Sequence, residues 1–462
     1  MGLVCPLEFR YGRKEMKELF AEDARLRYVL RVEAALARAQ AKVGNIPTAH
    51  ASEITRKATP EFVKLKRVKA IEKEIRHDLM AIVKALAEQC KTGGGSVHRG
   101  ATSYDMIDTG IALQIGDGLD LIEDRLRVLL KALLGLARKH KNTVMLGRTH
   151  GQAAIPMTFG FKMIVFAAEV ARHLDRAEEV RERAVVGKMS GAVGTGAGFG
   201  KYAAKIQSLV MADLQIGMEP AATQIVQRDR YVDLIGFCAN IATSMEKFAT
   251  EIRNLQRTEL WEAAEYYDTK KQVGSSTMAQ KQNPTISEQV SGLARLVRAN
   301  IIPTMENAIQ WHERDLANSA SERFILPHSM ILTDWIIHQM ANVFEGLRVF
   351  PERMRENLDR TGGMVMAEPV LLALTEKGMS RQDAHEHVRL LAAKAHETNA
   401  TLRSIGAKDP LIAKYLSAKE FRKVVDPAGY VGQAPNVVAQ LVRELTPKTR
   451  TPATLRQRRR RA

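Results

Sequence analysis

The segment Gly274-Ser275-Ser276-Thr277-Met278-Ala279-Gln280-Lys281-Gln282-Asn283-Pro284, followed by Glu288, concentrates groups that do chemistry on anions. Hydroxyls, an ammonium and a carboxamide share one flexible stretch. Such a stretch can close over an anionic substrate and present a Ser oxygen, backbone N–H groups and a positive charge together. The same residues also suit a plain Gly/Ser turn ahead of a helix starting at Pro284, because Pro is accepted in a first helical turn. Two further polar blocks carry histidines: His98-Arg99-Gly100-Ala101-Thr102-Ser103-Tyr104-Asp105 and Thr143-Val144-Met145-Leu146-Gly147-Arg148-Thr149-His150-Gly151-Gln152. A single His in a polar loop is more often a hydrogen-bonded surface residue than a catalyst. The three blocks therefore carry weight only together.

The elements that must hold these blocks are helices. A chain of 462 residues can bury a large core and probes more than one domain's worth of length. Aromatic residues make up only 5%, while Ala, Leu, Arg, Lys and Glu abound, which favours packed helices over sheet. Ile115, Leu119, Ile122, Leu126, Leu129, Leu133 and Leu136 alternate by four and three, a coiled-coil-like seam. Similar apolar patterns run from Glu15 to Val43, Phe161 to Val185, Tyr231 to Leu260 and Glu288 to Ile309. Strand signals are scarce, so the expected fold class is all-α with a long central helical bundle. Turn-rich breaks fall at Thr92 to Ser96, Gly187 to Gly200 and Tyr267 to Pro284. The expected organisation is a helical domain over 1–102, a long-helix bundle over 103–350 and a smaller helical domain over 351–445. Pro351 and Gly362-Gly363 mark the start of the last of these, and a basic, disordered tail over 446–462 follows it.

Charge is unevenly spread. The tail carries Lys448, Arg450, Arg456, Arg458, Arg459, Arg460 and Arg461 with no acid, so roughly +10 of the formal +17 lies on the rest of the chain. A solvated end is the expected role of that run, with weak, salt-sensitive polyanion or nucleic-acid contact as the alternative. The remaining excess suits steering of a multiply charged anion. Cys5, Cys90 and Cys238 form neither a metal-ligand spacing nor a disulfide framework, which makes a reducing cytoplasm the default. Met1 to Cys5 is too short an apolar run for a signal peptide, and no stretch approaches the roughly 20 apolar residues of a membrane span. A soluble protein is expected. Gly194, Gly196, Gly198 and Gly200 lack the G-x-G-x-x-G spacing and follow no buried strand, so they read as a mobile or tightly packed loop, not a dinucleotide cradle.

The loop at 274–283 resembles the signature of the fumarase/aspartase superfamily, written G-S-S-x-M-P-x-K-x-N, and the two His blocks resemble its other two characteristic stretches in the same order. Up to about Val442 the chain is similar to the adenylosuccinate lyase family. Arg10-Tyr11 with Glu15-Met16, Arg76-His77-Asp78, Thr223-Gln224 with Gln227-Arg228-Asp229-Arg230, and Trp311-His312-Glu313-Arg314-Asp315 with Ser319 and Glu322-Arg323 carry that likeness. Gly187 to Thr195 looks like the family's G-K-x-S-G-A-V-G-T stretch. Gly44-Asn45-Ile46-Pro47, Glu376-Lys377-Gly378-Met379 and Tyr430-Val431-Gly432 resemble its archaeal style. The resemblance implies an all-helical three-domain fold and a homotetramer whose active sites draw on three subunits. It also implies no metal and no cofactor. The implied chemistry is β-elimination in purine biosynthesis, cleaving adenylosuccinate to AMP and fumarate, and the succinyl-carboxamide imidazole ribotide to its carboxamide and fumarate.

In such a reaction, removing a proton beside a carboxylate develops a second negative charge there, which donors and a cation must meet. The resemblance assigns that task to Lys281 and Asn283 with backbone N–H groups of the loop. It makes Ser275 the general base, with Ser276 the competing candidate, His150 the general acid, and Glu288 the carboxylate that orients it. Arg10, Tyr11, His98, Arg314, Ser319 and Arg323 resemble positions that bind phosphate and carboxylates, which guanidinium forks match bidentately. Thr102, Ser103, Thr149 and Gln224 resemble contacts to the succinyl end, Arg76, His77 and Asp78 nucleotide contacts, and Ser276 and Met278 substrate contacts from the loop itself. The chain departs from the usual M-P-H-K-R-N at Ala279, Gln280 and Gln282. Gln280 is shared with the argininosuccinate lyase loop, M-P-Q-K-K-N, so a lyase for that or another succinyl-amine is the alternative. A helical scaffold binding polyanions through its tail is the non-enzymatic alternative.

Overall fold

The computed structural model describes residues 3–268 and 270–450. It is 67% helical, which settles the class as all-α. The long helices that concern the site are α1 (Glu22–Lys42), α2 (Ser103–Lys139), α3 (Phe159–Ala184), α4 (Asp229–Leu255), α5 (Thr285–Ala299) and α6 (Ala317–Glu345). In α2 six of the seven expected seam residues, Ile115, Leu119, Ile122, Leu126, Leu129 and Leu133, are fully buried, and Leu136 near the helix end is partly buried. Two apolar runs divide where the periodicity suggested one helix. Phe20-Ala21 separates Lys14–Leu19 from α1, and Asn300 separates α5 from Ile301–Glu306. The helix after Pro284 begins at Thr285.

The chain forms two compact units, each assembled from three stretches. The first comprises Met1–Arg125, His173–Met245 and Gly292–His338. Its core packs the Ala-rich face of α1, including Leu30, Leu36 and Ala39, against Ile54, Leu79, Leu86, Met106 and Val210. Two residues of strand, Val186-Gly187, pair in parallel with Gly217-Met218.

The second unit comprises Leu126–Arg172, Glu246–Ser291 and Gln339–Ala462. It holds an antiparallel hairpin of β1 (Val144–Thr149) and β2 (Gln152–Thr158), so one of the two His blocks is a strand element. Ala263-Ala264 pairs antiparallel with Arg348-Val349. A separate core gathers Leu358, Val370, Leu374, Val388, Leu391, Leu402, Ile412 and Phe421 with Leu146 of β1. The helix Pro351–Asp359 has Pro in its first turn. Thr446–Thr449 closes a single 3-10 turn, and the arginine-rich remainder of the tail, 451–462, lies outside the described residues. Among the described residues no helix is long and apolar enough to cross a membrane.

Candidate active site

In the first unit, the His98 block is held by two buried carboxylates. His98 sits at φ +60°, and its Nδ1 lies 2.7 Å from Oε1 of Glu33 on α1, while its backbone N–H donates to the other Glu33 oxygen at 3.2 Å. Burial opposes the imidazolium, but the Glu33 carboxylate outweighs it and the His98 pKa is raised. Asp105 accepts the Thr102 N–H at 2.8 Å and the ammonium of the fully buried Lys188 at 2.5 Å, along with the N–H groups of Ser190 and Gly191. The loop over 98–102 is thereby pinned to the Gly-rich stretch after Gly187. There the two backbones touch: a Cβ on Gly100 would lie 2.5 Å from the Gly198 carbonyl oxygen. The Gly-rich run is closely packed at Gly194 and Gly198 and passes into a 3-10 helix over Ala197–Tyr202.

Arg314 lies over the Tyr104 ring, 3.6 Å from its centroid, and donates from Nη1 to Oε1 of Gln224 at 2.9 Å. Its Nε and Nη2 are buried with no hydrogen-bond partner among the described residues. Tyr104 Oη is 3.3 Å from Ser319 Oγ. Beside them a cavity of about 270 Å³ is lined by Phe20, Arg25, Tyr104, Gln114, Ser319 and Arg323, among others. Asp78 joins two of its cations, accepting from Arg25 at 2.7 Å and Arg323 at 3.4 Å. Burial works to raise the Asp78 pKa, yet Arg25, then the Leu79 N–H and then Arg323 hold it below the ordinary carboxylate value. Asp78 therefore orients guanidiniums here. His77 caps the following helix, its Nδ1 accepting from the Met80 N–H at 3.3 Å, and Arg76 is exposed at φ +54°.

Beneath these groups Arg228 is buried with two carboxylates. It donates to Asp108 at 2.8 and 2.9 Å and to Glu322 at 2.7 and 3.1 Å. Its guanidinium also sits 4.7 Å from the Tyr231 ring, and Asn318 adds a bond to Glu322 at 2.8 Å. One hub thus ties α2, the Gln224 segment and the start of α6. Arg10, exposed at the end of Pro6–Phe9, lies 5.9 Å from the ring of Tyr11. Arg13, two residues further on, pairs with Asp334 at 3.1 Å and anchors that arm. Burial pushes the Asp334 carboxyl up to about 6 despite Arg13.

In the second unit, Thr149 pairs with Gln152, which leaves His150 and Gly151 as a two-residue hairpin turn at φ +55° and +74°. Two consecutive positive φ values are those of a type I′ turn, in which Gly at the second position is favoured. His150 and Thr149 are exposed at its tip. Arg148 faces away and forms a fork with the fully buried Glu262 at 2.9 and 2.7 Å, to which Asn357 also donates at 2.8 Å. The Arg of this block therefore fixes the hairpin that presents the His.

The 274–284 loop is drawn together at its neck. The Asn283 amide donates to the Gly274 carbonyl at 3.0 Å, and a Cβ on Gly274 would stand 1.9 Å from the Lys281 carbonyl oxygen, so only Gly fits there. Ser275 Oγ accepts N–H bonds from Met278 at 3.1 Å and Thr277 at 3.4 Å. Ser276, Met278 and Lys281 are exposed. A cavity of about 890 Å³ beside the loop is lined by Arg253, Arg257, Gln280, Lys281, Asn283 and Glu288, among others. Among the described residues no hydrogen bond or ion pair links the side chains of His150, Ser275, Lys281 and Glu288 to one another, and no group of His, Cys, Asp and Glu is placed to hold a metal ion.

Sequence reasoning named neither Glu33, Arg25 and Asp108 nor the loop's supports Gln256, Glu265 and Arg348. Only Glu33 left a signal: a carboxylate inside the buried run Val32-Glu33-Ala34-Ala35-Leu36 must have a partner.

Comparison with known proteins accords with this arrangement. Residues 8–299 match the family described as Lyase, and residues 363–441 match the one described as Adenylosuccinate lyase C-terminus. A fumarate lyase from Mesorhizobium sp. BNC1 superimposes with a TM-score of 0.86 at 33% identity, covering 93% of this chain and 98% of that one. These likenesses define a lyase of the fumarase/aspartase superfamily. The adenylosuccinate lyase of Pyrococcus horikoshii is 49% identical over 95% of this chain and 97% of its own length. That of Methanothermobacter thermautotrophicus is 44% identical over 96% and 98%. The chain belongs to the adenylosuccinate lyase family.

Proposed function

We propose that this chain cleaves adenylosuccinate to AMP and fumarate, and the succinyl-carboxamide imidazole ribotide to its carboxamide and fumarate, by general acid–base β-elimination in the cytoplasm. The observation that carries the reading is Arg314. A guanidinium held flat on Tyr104 with two buried, unpaired nitrogens is poised for an oxyanion, and a substrate with a phosphate and two carboxylates supplies one. Arg323, Ser319, His98 and Gln224 stand on the same unit for the remaining oxygens, with Arg10 and Tyr11 on its N-terminal arm and Thr102 and Ser103 at the start of α2.

Ser275 takes the proton beside the carboxylate. The electron pair left on carbon forms the double bond of fumarate as the C–N bond breaks, and His150 protonates the departing nitrogen. Two backbone N–H groups aimed at Ser275 Oγ favour its alkoxide, whereas exposed Ser276 has no such donors, which supports Ser275 as the base. Lys281 meets the charge that develops on the carboxylate. Asn283 holds the loop neck, and Glu288, in the first turn of α5, is the carboxylate proposed to orient His150.

Among the described residues the side chains given these roles are not bonded to one another, and a homotetramer with sites shared between subunits would bring such groups together. Exposed apolar side chains between 296 and 324 support the same assembly, among them Leu296, Ile302, Ile309, Trp311, Leu316 and Phe324 at 55–76% exposure. The three-domain division, with breaks near 102 and 350, belongs to this reading. Gln280 on the cavity wall keeps argininosuccinate as the rival substrate. The test is ultraviolet detection of fumarate release from each succinyl compound by purified protein. Release from adenylosuccinate, and its loss in Ser275→Ala with partial retention in Ser276→Ala, is expected. Release from argininosuccinate alone would reverse the assignment.

A further inference from the structure

We infer that Gln282 and Arg348 form a positioning pair that fixes the outgoing limb of the Ser275–Lys281 loop and so sets how that loop presents its reacting groups; the inference rests on the loop being catalytic, as proposed above. Neither residue has a part in the chemistry. Gln282 is nonetheless held twice. Its backbone carbonyl accepts from Nε2 of Gln256 at 3.0 Å, and its side-chain oxygen accepts from Nη2 of Arg348 at 2.8 Å.

Both partners are themselves fixed by Glu265. Gln256 Oε1 accepts the Glu265 N–H at 2.9 Å, and Arg348 Nε donates to the Glu265 carbonyl at 2.8 Å. The Glu265 carboxylate, buried, then accepts the first free N–H groups of α5, from Ile286 at 3.2 Å and Ser287 at 2.7 Å, and the Ser287 hydroxyl at 2.5 Å. That carboxylate satisfies donors a helix start leaves orphaned and meets the positive end of its dipole. The Arg348 guanidinium lies 5.9 Å from the Trp261 ring and 5.8 Å from that of Phe350, and those rings stack on one another, so its direction is constrained. Residues 282–287 are thus bolted to the end of α4 and to the short Ala263-Ala264/Arg348-Val349 ladder.

The rest of the loop has no such support. Between Ser275 and Lys281 the hydrogen bonds among the described residues are the loop's own, Met278 and Thr277 to Ser275 and Lys281 N–H to the Met278 carbonyl at 3.0 Å. The loop is a flap with one fixed limb, and Lys281 is the last residue before the bolt. Arg348 presents a charge to Gln282, and a neutral carboxamide oxygen accepts it. A carboxylate at 282 would keep that acceptor, an aliphatic side chain would remove it, and a second guanidinium would face Arg348 with like charge. Because misplacement by about 1 Å costs up to about 10²-fold in rate, the pair acts on turnover more than on substrate affinity.

The test compares Gln282→Leu, Gln282→Glu, Gln282→Arg, Arg348→Met and the Gln282→Leu/Arg348→Met double variant in the full chain. Two readouts are taken: steady-state kinetics with adenylosuccinate, and the rate of trypsin cleavage at the exposed Lys270, Lys271 and Lys281 without substrate. The expected result is a kcat lowered about tenfold or more in Gln282→Leu and Gln282→Arg with KM changed less than about threefold, faster cleavage in Gln282→Leu, and Gln282→Glu within about threefold of wild type in kcat and KM. The double variant is expected to be no worse than its poorer parent, since both members serve one contact. Unchanged trypsin cleavage in Gln282→Leu, or effects that simply add in the double variant, would overturn the pairing even if a single variant folds poorly. A Gln282→Glu as impaired as Gln282→Leu would do so too. A wild type inactive on adenylosuccinate but showing the expected cleavage pattern would leave the anchor standing and refute the substrate reading instead.

Discussion

The Arg314 guanidinium rests on the face of Tyr104, 3.6 Å from the ring centroid, with Gln224 taking one of its N–H groups at 2.9 Å. The ring does two things at once. It offers a negative face to a desolvated cation, worth up to about 2 kcal/mol, and its hydroxyl stands 3.3 Å from Ser319. Tyr104→Phe keeps the face and should leave KM for adenylosuccinate within about threefold of wild type. Tyr104→Leu removes the face and should raise KM about 5- to 30-fold with a smaller change in kcat, as expected from the cation–π range. Equal effects of the two substitutions in steady-state kinetics would place the importance in the hydroxyl instead.

Arg228 invites a stability prediction because its two carboxylate partners are buried with it. Arg228→Met should lower the unfolding free energy by about 3–5 kcal/mol, since it strands Asp108 and Glu322 as buried, uncompensated charges. The triple variant Arg228→Met/Asp108→Asn/Glu322→Gln should recover a measurable part of that loss. Urea denaturation followed by circular dichroism reads both. A single Arg228→Met with no loss would mean that water reaches the carboxylates.

His98 and Glu33 predict a pH dependence of definite sign. The folded-state pKa of His98 is raised by Glu33 in spite of burial. Its contribution to stability is therefore complete below the ordinary imidazole value of about 6.5 and is lost as pH rises through the higher folded-state value. The midpoint of urea unfolding should fall between about pH 6 and about pH 8 more in wild type than in Glu33→Gln, which no longer favours the imidazolium. A steeper fall in the variant would invert the sign and detach His98 from Glu33.

These particulars show where the sequence was legible. The seam from Ile115 to Leu133 was readable because each residue repeats a local spacing, and helix periodicity is a local property. The three candidate blocks could be picked out because each is contiguous in the chain. The hairpin carrying His150 could not, since Pro156 and a register shift between Leu146 and Arg148 break the alternation by which a strand announces itself. Glu33 with His98, and Arg348 with Gln282, are separated by 65 and 66 residues, and nothing local links them. That two backbone N–H groups point at Ser275 Oγ and not at its neighbour is likewise absent from the identity of two adjacent serines.

The turn within the loop gives the last prediction, for a position where this chain departs from its family. Lys281 N–H donates to the Met278 carbonyl at 3.0 Å, which makes Met278 to Lys281 a four-residue turn with Ala279 at its second position. That position is the one Pro favours in the common turn types, because its ring presets the required φ. No hydrogen bond among the described residues uses the Ala279 N–H, so Pro removes no donor that the loop needs. What Pro changes is the open loop, whose conformations it restricts by about 0.4–1 kcal/mol. If closure of this loop limits turnover, that amount is about a two- to fivefold rise in kcal-equivalent rate, and kcat of Ala279→Pro should rise by up to that factor. If chemistry or product release is limiting, kcat should stay within about twofold while the trypsin cleavage rate at Lys281 still falls. An Ala279→Pro that loses more than about tenfold in kcat would mean that the closed loop abandons this turn, with Met278 and Lys281 carried into a backbone that Pro cannot enter.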